Sequence, residues 1–372
     1  MFPNPGPGND GVKSSPVGLP DPVEVDHNCP MYHGPVGEEL FARAALPAYG
    51  CDSDGDLRLL SFSENATFCH RPRDDRSGDT ALVLRVHRPG YHSAVAIRSE
   101  LCWMRALADD TGIATPEVIA TTAGAPLVSI DLGGQTRHVD AFALVDGRTA
   151  EELPGEMEFG ELGRVTARMH QHARSWEPPR WFTRFRWDLT TTLGADKRWG
   201  DWRDAPGMTT GLRSIIERAD TEVSARLRDF GDAPDRFGLV HADLRLANLM
   251  VGPQRSLTVI DFDDCGWSWY LADLATVISW IETGPDAERI VAEWLTGYQE
   301  IAPMSADDLA MVPTFIMLRR LMLTAWIGTH PESGAALEVG DGFVGGTAQV
   351  AERFLDHSLA ATVSPPGPAV MR

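Results

Sequence analysis

His241-Ala242-Asp243-Leu244-Arg245-Leu246-Ala247-Asn248, followed by Val259-Ile260-Asp261-Phe262-Asp263, is the stretch richest in residues that could do chemistry. The first run has the form HxDxxxxN, and the second ends an apolar strand on a carboxylate 18 residues after Asp243. Phosphoryl transfer needs groups of these types. An Asp accepts or orients the proton of an attacking hydroxyl, while an amide oxygen and a second carboxylate hold magnesium against nucleotide phosphates. Asp243 suits the first role, and Asn248 with Asp261 the second. Asn supplies a hard oxygen without adding charge, and magnesium fills its remaining sites with phosphate oxygens and water. A hydrolytic metal site built from His241, Asp243 and Asp261 is the competing reading, but a single His beside hard oxygens fits magnesium better than a transition metal.

Elements around these runs must hold them still. Leu249 to Val251 and Leu257 to Phe262 read as short strands joined by a Gly-Pro turn, so the polar residues at their edges face a cleft. Upstream, Leu57 to Phe62, Ala66 to Cys69 and Leu82 to Val86 are β-prone runs broken by polar, Gly-containing segments, as in antiparallel hairpins. From Ser93, an expected N-cap, to Gly112, apolar Ile97, Leu101, Met104 and Ala108 recur at helical spacing with Glu100 at the edge of the stripe. Strands at Glu117 to Ala120 and Val139 to Val145 follow, and Asp146-Gly147 supplies a turn. From Glu156 the pattern is mostly helical: Leu162, Val165, Met169 and Ala173 form one stripe, and further helices are expected near 208–230, 271–282, 286–302, 305–328 and 346–360. Ser305 and Asp308 form a capping-box pair at the head of one of these helices.

With these motifs the sequence resembles the aminoglycoside phosphotransferase and choline kinase group of the protein-kinase-like fold, nearest to its homoserine kinase and stress-response kinase branch. The resemblance covers about residues 52 to 330 and implies an α+β, bilobal architecture: a small antiparallel-sheet N-lobe and a larger, mainly helical C-lobe. It implies the boundaries 1–35 (disordered Pro/Gly-rich tail), 36–147 (nucleotide lobe), 148–360 (catalytic and acceptor lobe) and 361–372 (flexible tail). It also implies that Asp243 is the catalytic base, that Asn248 and Asp261 hold Mg2+, and that His241 and Asp273 support the catalytic loop. Arg85 sits where kinases place the phosphate-contacting Lys, with Glu100 as its helix partner. Arginine keeps the charge and can fork onto both a carboxylate and a phosphate, though the exchange is not neutral. Ser63 and Asn65 lie on the expected phosphate-covering loop, which has no glycine. The adenine of ATP is expected against a hinge near Phe142 to Val145, and Asp263 is a weaker metal or substrate candidate. The implied reaction moves the γ-phosphoryl group of ATP to a hydroxyl of a small molecule, such as an aminoglycoside-like antibiotic or an amino alcohol. A Ser/Thr protein kinase and a catalytically silent nucleotide-binding module are the alternatives.

Composition narrows the partners. The chain has 372 residues and a net charge of −20, from 33 Lys plus Arg against 53 Asp plus Glu. Phosphate backbones and anionic lipid surfaces repel such a chain, so neither nucleic acid nor membrane is an expected partner. Five cysteines without a CxxC pair argue against a disulfide framework or a zinc ribbon and for a reducing cytoplasm. Leu309 to Ile327 is apolar but interrupted by Arg319 and Arg320, which marks a buried helix and not a membrane span. Oligomeric state is not legible.

Other signals read as structural. His170 and His172 are two apart on a helix, point to different sides, and are expected to be packing and surface residues. His27, Cys29 and His33 lack a fourth zinc ligand. Gly340-Asp341-Gly342-Phe343-Val344-Gly345 matches GxGxxG, but too few residues follow for a dinucleotide-binding unit, so it is expected to be a flexible loop. Trp176, Trp181, Trp187, Trp199 and Trp202, interspersed with arginines, suggest cation–π packing or an insert that caps the acceptor pocket.

Overall fold

The computed structural model describes residues 35–53, 55–62, 65–72, 81–153, 155–331 and 333–359. The expected tails, 1–35 apart from Pro35 and 361–372, and the His27, Cys29, His33 group lie outside these residues. The architecture is the bilobal α+β arrangement.

The small lobe is an antiparallel sheet of β1 (Asp56–Phe62), β2 (Ala66–Arg71), β3 (Leu82–Val86), β4 (Val118–Ile119), β5 (Leu127–Leu132) and β6 (Gln135–Ala143). Its order is β1-β2-β3-β6, with β4 and β5 along the outer edge of β6. Successive strand side chains point to opposite faces. Ala66, Phe68, Leu82, Leu84, Val86, Val139 and Ala141 therefore face one apolar cluster, which α1 (Pro35–Ala45) covers with Phe41, Ala42 and Ala45. The alternate set, including Thr67, Val83, Arg85 and Phe142, lines a cleft. Helix α2 (Ala94–Thr111) is capped by Ser93, whose hydroxyl accepts from the Ala96 N–H, and ends at Gly112 in the left-handed region. Glu100 on α2, beside the apolar stripe of that helix, is fully buried.

Beyond β6, β7 (Arg148–Thr149) leads to α3 (Phe159–Ser175), the single turn α4 (Leu189–Thr192) and α5 (Thr210–Phe230). Four short strands then frame both chemistry-bearing runs: β8 (Phe237–Val240), β9 (Leu249–Val251), β10 (Leu257–Val259) and β11 (Gly266–Trp269). β8 pairs with β11, and β9 pairs with β10 and β7. Residues 241–248 thus bridge one pair to the other, and residues 260–265 bridge them back. The remaining helices are α6 (Leu271–Val277), α7 (Ala287–Ile301), α8 (Ala306–Thr329), α9 (Gly334–Val339) and α10 (Phe343–Leu355). Helices α3 and α7 approach so closely that a Cβ on Gly297 would stand 1.9 Å from the Gly160 carbonyl oxygen. Helix α8 is long and apolar enough to cross a membrane and is buried inside the protein. Its Ser305–Asp308 capping box forms.

Three expectations change. The helix expected over 271–282 stops at Val277. The GxGxxG run is no flexible loop: it follows α9 and turns into α10, with Phe343 and Val344 buried. His172 is buried and bonded to Asp110 (3.0 Å), not a surface residue.

Candidate active site

The geometry of the 241–248 loop is fixed from beneath by Asp273, at the start of α6 and fully buried. Its carboxylate accepts from the backbone N–H groups of His241 (3.1 Å) and Ala242 (2.7 Å) and bonds the His170 ring at 3.0 Å. This support holds Ala242 at φ 67°, a left-handed conformation that costs an L-residue about 1–2 kcal/mol. His170 therefore belongs to the bracing of the loop, a role its sequence position did not reveal. His241 joins the two runs: its Nε2 donates to the Ile260 carbonyl (3.1 Å), and its Nδ1 accepts from the Asp243 N–H (3.2 Å). Burial pushes its pKa down, so the ring is neutral, as one donor and one acceptor require.

Asp243 and Asn248 come together. The Asn248 amide nitrogen donates to the Asp243 carboxylate (2.7 Å) and to the Asp243 carbonyl (2.9 Å). Both amide hydrogens are thereby used, which leaves the amide oxygen for another partner. Asp243 also accepts from Arg245 (3.2 Å) and from Arg319 on α8. Burial alone would raise its pKa, but the two guanidiniums outweigh burial and hold it below the ordinary carboxylate value. Neither arginine was among the candidates, although Arg319 carried a signal as a cation inside an apolar helix.

Asp261 follows the β10 strand at φ 60°, with its carboxylate 43% exposed; the exposed face is the interior of the cleft. Its pKa is pushed up to about 7 by removal from bulk water and by Asp263 and Asp243, against the opposing pull of Arg85 and Arg245. The hard oxygens available from Asn248 and Asp261 fit a divalent cation such as magnesium. Among the described residues no group of three or more His, Cys, Asp and Glu side chains forms a ready metal cage.

Arg85 reaches Glu100 (2.7 Å) as expected, and in addition forks onto Asp140 (2.7 and 3.2 Å), its direct cross-strand neighbour on β6. Its Nη1 lies 3.6 Å from Asp261. Burial would lower the guanidinium pKa, but Asp140 and Glu100 overcome this and raise it. Asp140 is in turn held down at about 2, because Arg85 and His87 outweigh its burial. Replacing Arg85 with Ala strands two buried carboxylates, so unfolding free energy should fall by about 3–5 kcal/mol. Urea denaturation checks this, and a loss below about 1 kcal/mol, the scale of an exposed pair, would contradict the buried triad.

The other candidates are placed differently. Asp263 is buried and paired with His92 (3.1 Å), which helps keep it ionised well below the usual carboxylate range. Asn65 lines the cleft, but its side-chain oxygen accepts from the Arg88 N–H (3.1 Å). Ser63 lies outside the described residues. Arg85, Glu100, Asp243, Asn248 and Asp261 all line one cleft of about 540 Å³, together with Phe142 to Val145. Trp199, Trp280, Trp326, Asp264 and Arg319 line it too. Trp199, from the Trp-rich insert, is thus a cleft residue, whereas Arg198 of the same insert packs over Phe185 (3.9 Å).

The model of the phosphotransferase enzyme family matches residues 63–306, more than half of the chain. Among curated proteins, the amicoumacin kinase of Bacillus subtilis (strain 168) is 24% identical over 300 residues, covering 77% of this chain and 83% of that protein. Among solved structures, the microcompartment-associated aminopropanol kinase superposes with a TM-score of 0.79 at 38% identity, covering 87% of this chain and 99% of that one. An amicoumacin kinase in complex with AMP-PNP, Ca2+ and Ami superposes with a TM-score of 0.66 at 20% identity, covering 86% of this chain and 93% of the other.

Proposed function

The chain belongs to the phosphotransferase enzyme family, and from that premise we propose that it moves the γ-phosphoryl group of ATP, with Mg2+, to the hydroxyl of a small amino alcohol. The observation that carries this reading is the meeting of Asp243, Asn248 and Asp261 in one cleft with Arg85. Asn248 and Asp261 would hold the metal, whose charge offsets the negative charge of the phosphates. Asp243 orients the acceptor hydroxyl. The acceptor oxygen forms the new bond to phosphorus, the bond to the β,γ-bridging oxygen breaks, and ADP leaves with the electron pair. Because the transition state is loose, the hydroxyl proton need leave only late, and positioning supplies most of the rate. Arg85 holds Glu100 and Asp140 with Nε and Nη2, so its Nη1 is the edge turned toward the phosphates.

Likeness to an aminopropanol kinase along 99% of that chain supports an amino alcohol acceptor. So does the lining of the same cleft by Trp199, Trp280, Trp326 and Asp264, whose carboxylate also accepts from the Tyr91 hydroxyl (2.7 Å), since a carboxylate and aromatic faces both attract a small ammonium. A cytoplasmic setting agrees with Cys69 and Cys265 as buried free thiols. The test is ATP consumption over aminopropanol, ethanolamine, homoserine, aminoglycosides and amicoumacin, with the phosphorylated atom read by phosphorus NMR. The expected result is the highest kcat/KM on a small amino alcohol, with phosphate on its hydroxyl. Label on protein would favour a protein kinase. Thermal stabilisation by Mg-ATP without turnover on any acceptor would favour a binding module.

A further inference from the structure

Helix α8 is apolar and buried along nearly its whole length, yet carries two adjacent arginines. A guanidinium removed from water is costly unless its donors are met. Arg320 meets this need inside the lobe, through Glu282 (2.7 Å), Thr347 (2.9 Å) and the Phe343 carbonyl (2.9 Å). Arg319, one position earlier and so about 100° round the helix, points to the cleft and spends its donors on the catalytic loop. Its Nε donates to Ser279 (2.9 Å), its Nη1 to the Ala242 carbonyl (3.4 Å) and its Nη2 to Oδ1 of Asp243, while the guanidinium lies over the Trp199 ring at 5.2 Å.

We propose that Arg319 is a positioning residue for phosphoryl transfer, fixing the carboxylate of Asp243 so that its one unused acceptor site faces the acceptor hydroxyl. The proposal rests on the reading of Asp243 given above. A carboxylate offers about four lone-pair sites, two on each oxygen. Oδ2 of Asp243 accepts from Asn248 and Arg245, and Oδ1 accepts from Arg319. The remaining site is therefore on Oδ1, and its direction is set by the bond to Arg319. The fork also clamps the backbone one residue before Asp243, which sits in the left-handed conformation. A lysine at this position could supply charge but could not reach Ser279, Ala242 and Asp243 together, because its donors radiate from a single point.

The test uses Arg319→Ala and Arg319→Lys in the full chain, with the acceptor that turns over best. A positioning role predicts that Arg319→Ala lowers kcat by about 10²-fold, the scale of an ångström-sized misplacement. KM for ATP should hardly change, since Arg319 bonds Ser279, Ala242 and Asp243 and none of Arg85, Asn248 and Asp261. Added guanidinium should restore kcat, whereas ammonium should not, and Arg319→Lys should fall between wild type and Ala. A crystal structure of Arg319→Ala should show the Asp243 carboxylate turned toward Arg245. Near-wild-type kcat in Arg319→Ala overturns the proposal; so does an unmoved Asp243, or a loss of kcat that tracks a lowered melting temperature and ignores guanidinium. Should Arg319→Ala not fold, Arg319→Lys decides: full kcat there overturns the proposal, and a loss with unchanged KM for ATP supports it. A wild-type protein without turnover on any acceptor sinks the reading of Asp243 itself, whereas turnover in both wild type and variant sinks only the role of Arg319.

Discussion

Asp243→Asn is expected to lower kcat by about 10²–10⁴-fold, the range for a positioned acid–base group, with little change in nucleotide affinity. The substitution preserves shape and removes charge. It also turns one carboxylate oxygen into an NH2 donor. That donor must face either Arg319 or the Arg245 and Asn248 donors, all of which now meet an acceptor. A donor set against a donor in a buried loop displaces the side chain, and the hydroxyl that Asp243 is proposed to orient would move with it. The amide cannot take up the hydroxyl proton when it finally leaves. Single-turnover measurement with saturating ATP separates this loss from product release, and turnover near that of wild type would remove Asp243 from its assigned place.

How much of this site could be read in the sequence depends on how local its determinants are. Asp243, Asn248 and Asp261 announce themselves because one short loop and one strand end carry them, and the framing strands follow from β-prone runs on either side. The alternation Leu82-Val83-Leu84-Arg85-Val86 likewise specifies a strand with Arg85 opposite the core face. Asp140 gave no such sign. It is a polar residue inside a strand, and only cross-strand register brings it against Arg85. The full burial of Glu100 gave no sign for a similar reason: a helical stripe reports which face is apolar, but the ion pair that allows a carboxylate to be fully buried comes from β3. Arg319 is the instructive middle case. Its cost in an apolar helix is visible in the sequence and demands a partner, but the partner lies 76 residues away and is settled by packing alone.

Two helices differ from the pattern in the sequence. Helix α1 lies next to the Pro/Gly-rich beginning of the chain, whose composition hides the short apolar run of Phe41, Ala42 and Ala45. The helix expected over 271–282 stops at Val277, and Trp280 takes φ 75°, which no helix accommodates. That break faces Trp280 into the cleft beside Trp326. A longer α6 would have removed one wall of the proposed acceptor end.

Asp261→Asn is expected to reduce kcat/KM by at least about 10³-fold, because loss of a metal's charge stabilisation is worth several kcal/mol and each 1.36 kcal/mol is tenfold. Unlike Asp243→Asn, it should act through the metal and depend on pH. The carboxyl must be ionised to ligate a cation, and in the metal-free protein its pKa is pushed up to about 7. Below that value proton and cation compete, so the Mg-ATP affinity of the wild type should weaken by up to about tenfold per pH unit as one proton is displaced, and level off above it. Stability carries the opposite sign. A carboxyl whose folded-state pKa lies above its unfolded value of 3.8 contributes a stability that is complete below 3.8, falls as pH rises, and is lost once pH has passed about 7. Asp261→Asn mimics the protonated form, so the metal-free variant should melt above the wild type at pH 8 and by a smaller margin at pH 5.5. Calorimetric titration with Mg-ATP across pH, paired with melting curves at those two pH values, reads both effects. Flat wild-type affinity from pH 5.5 to 8 would deny that Asp261 is the ligand, and a variant that melts below wild type at pH 8 would show that Arg85 needs this third carboxylate.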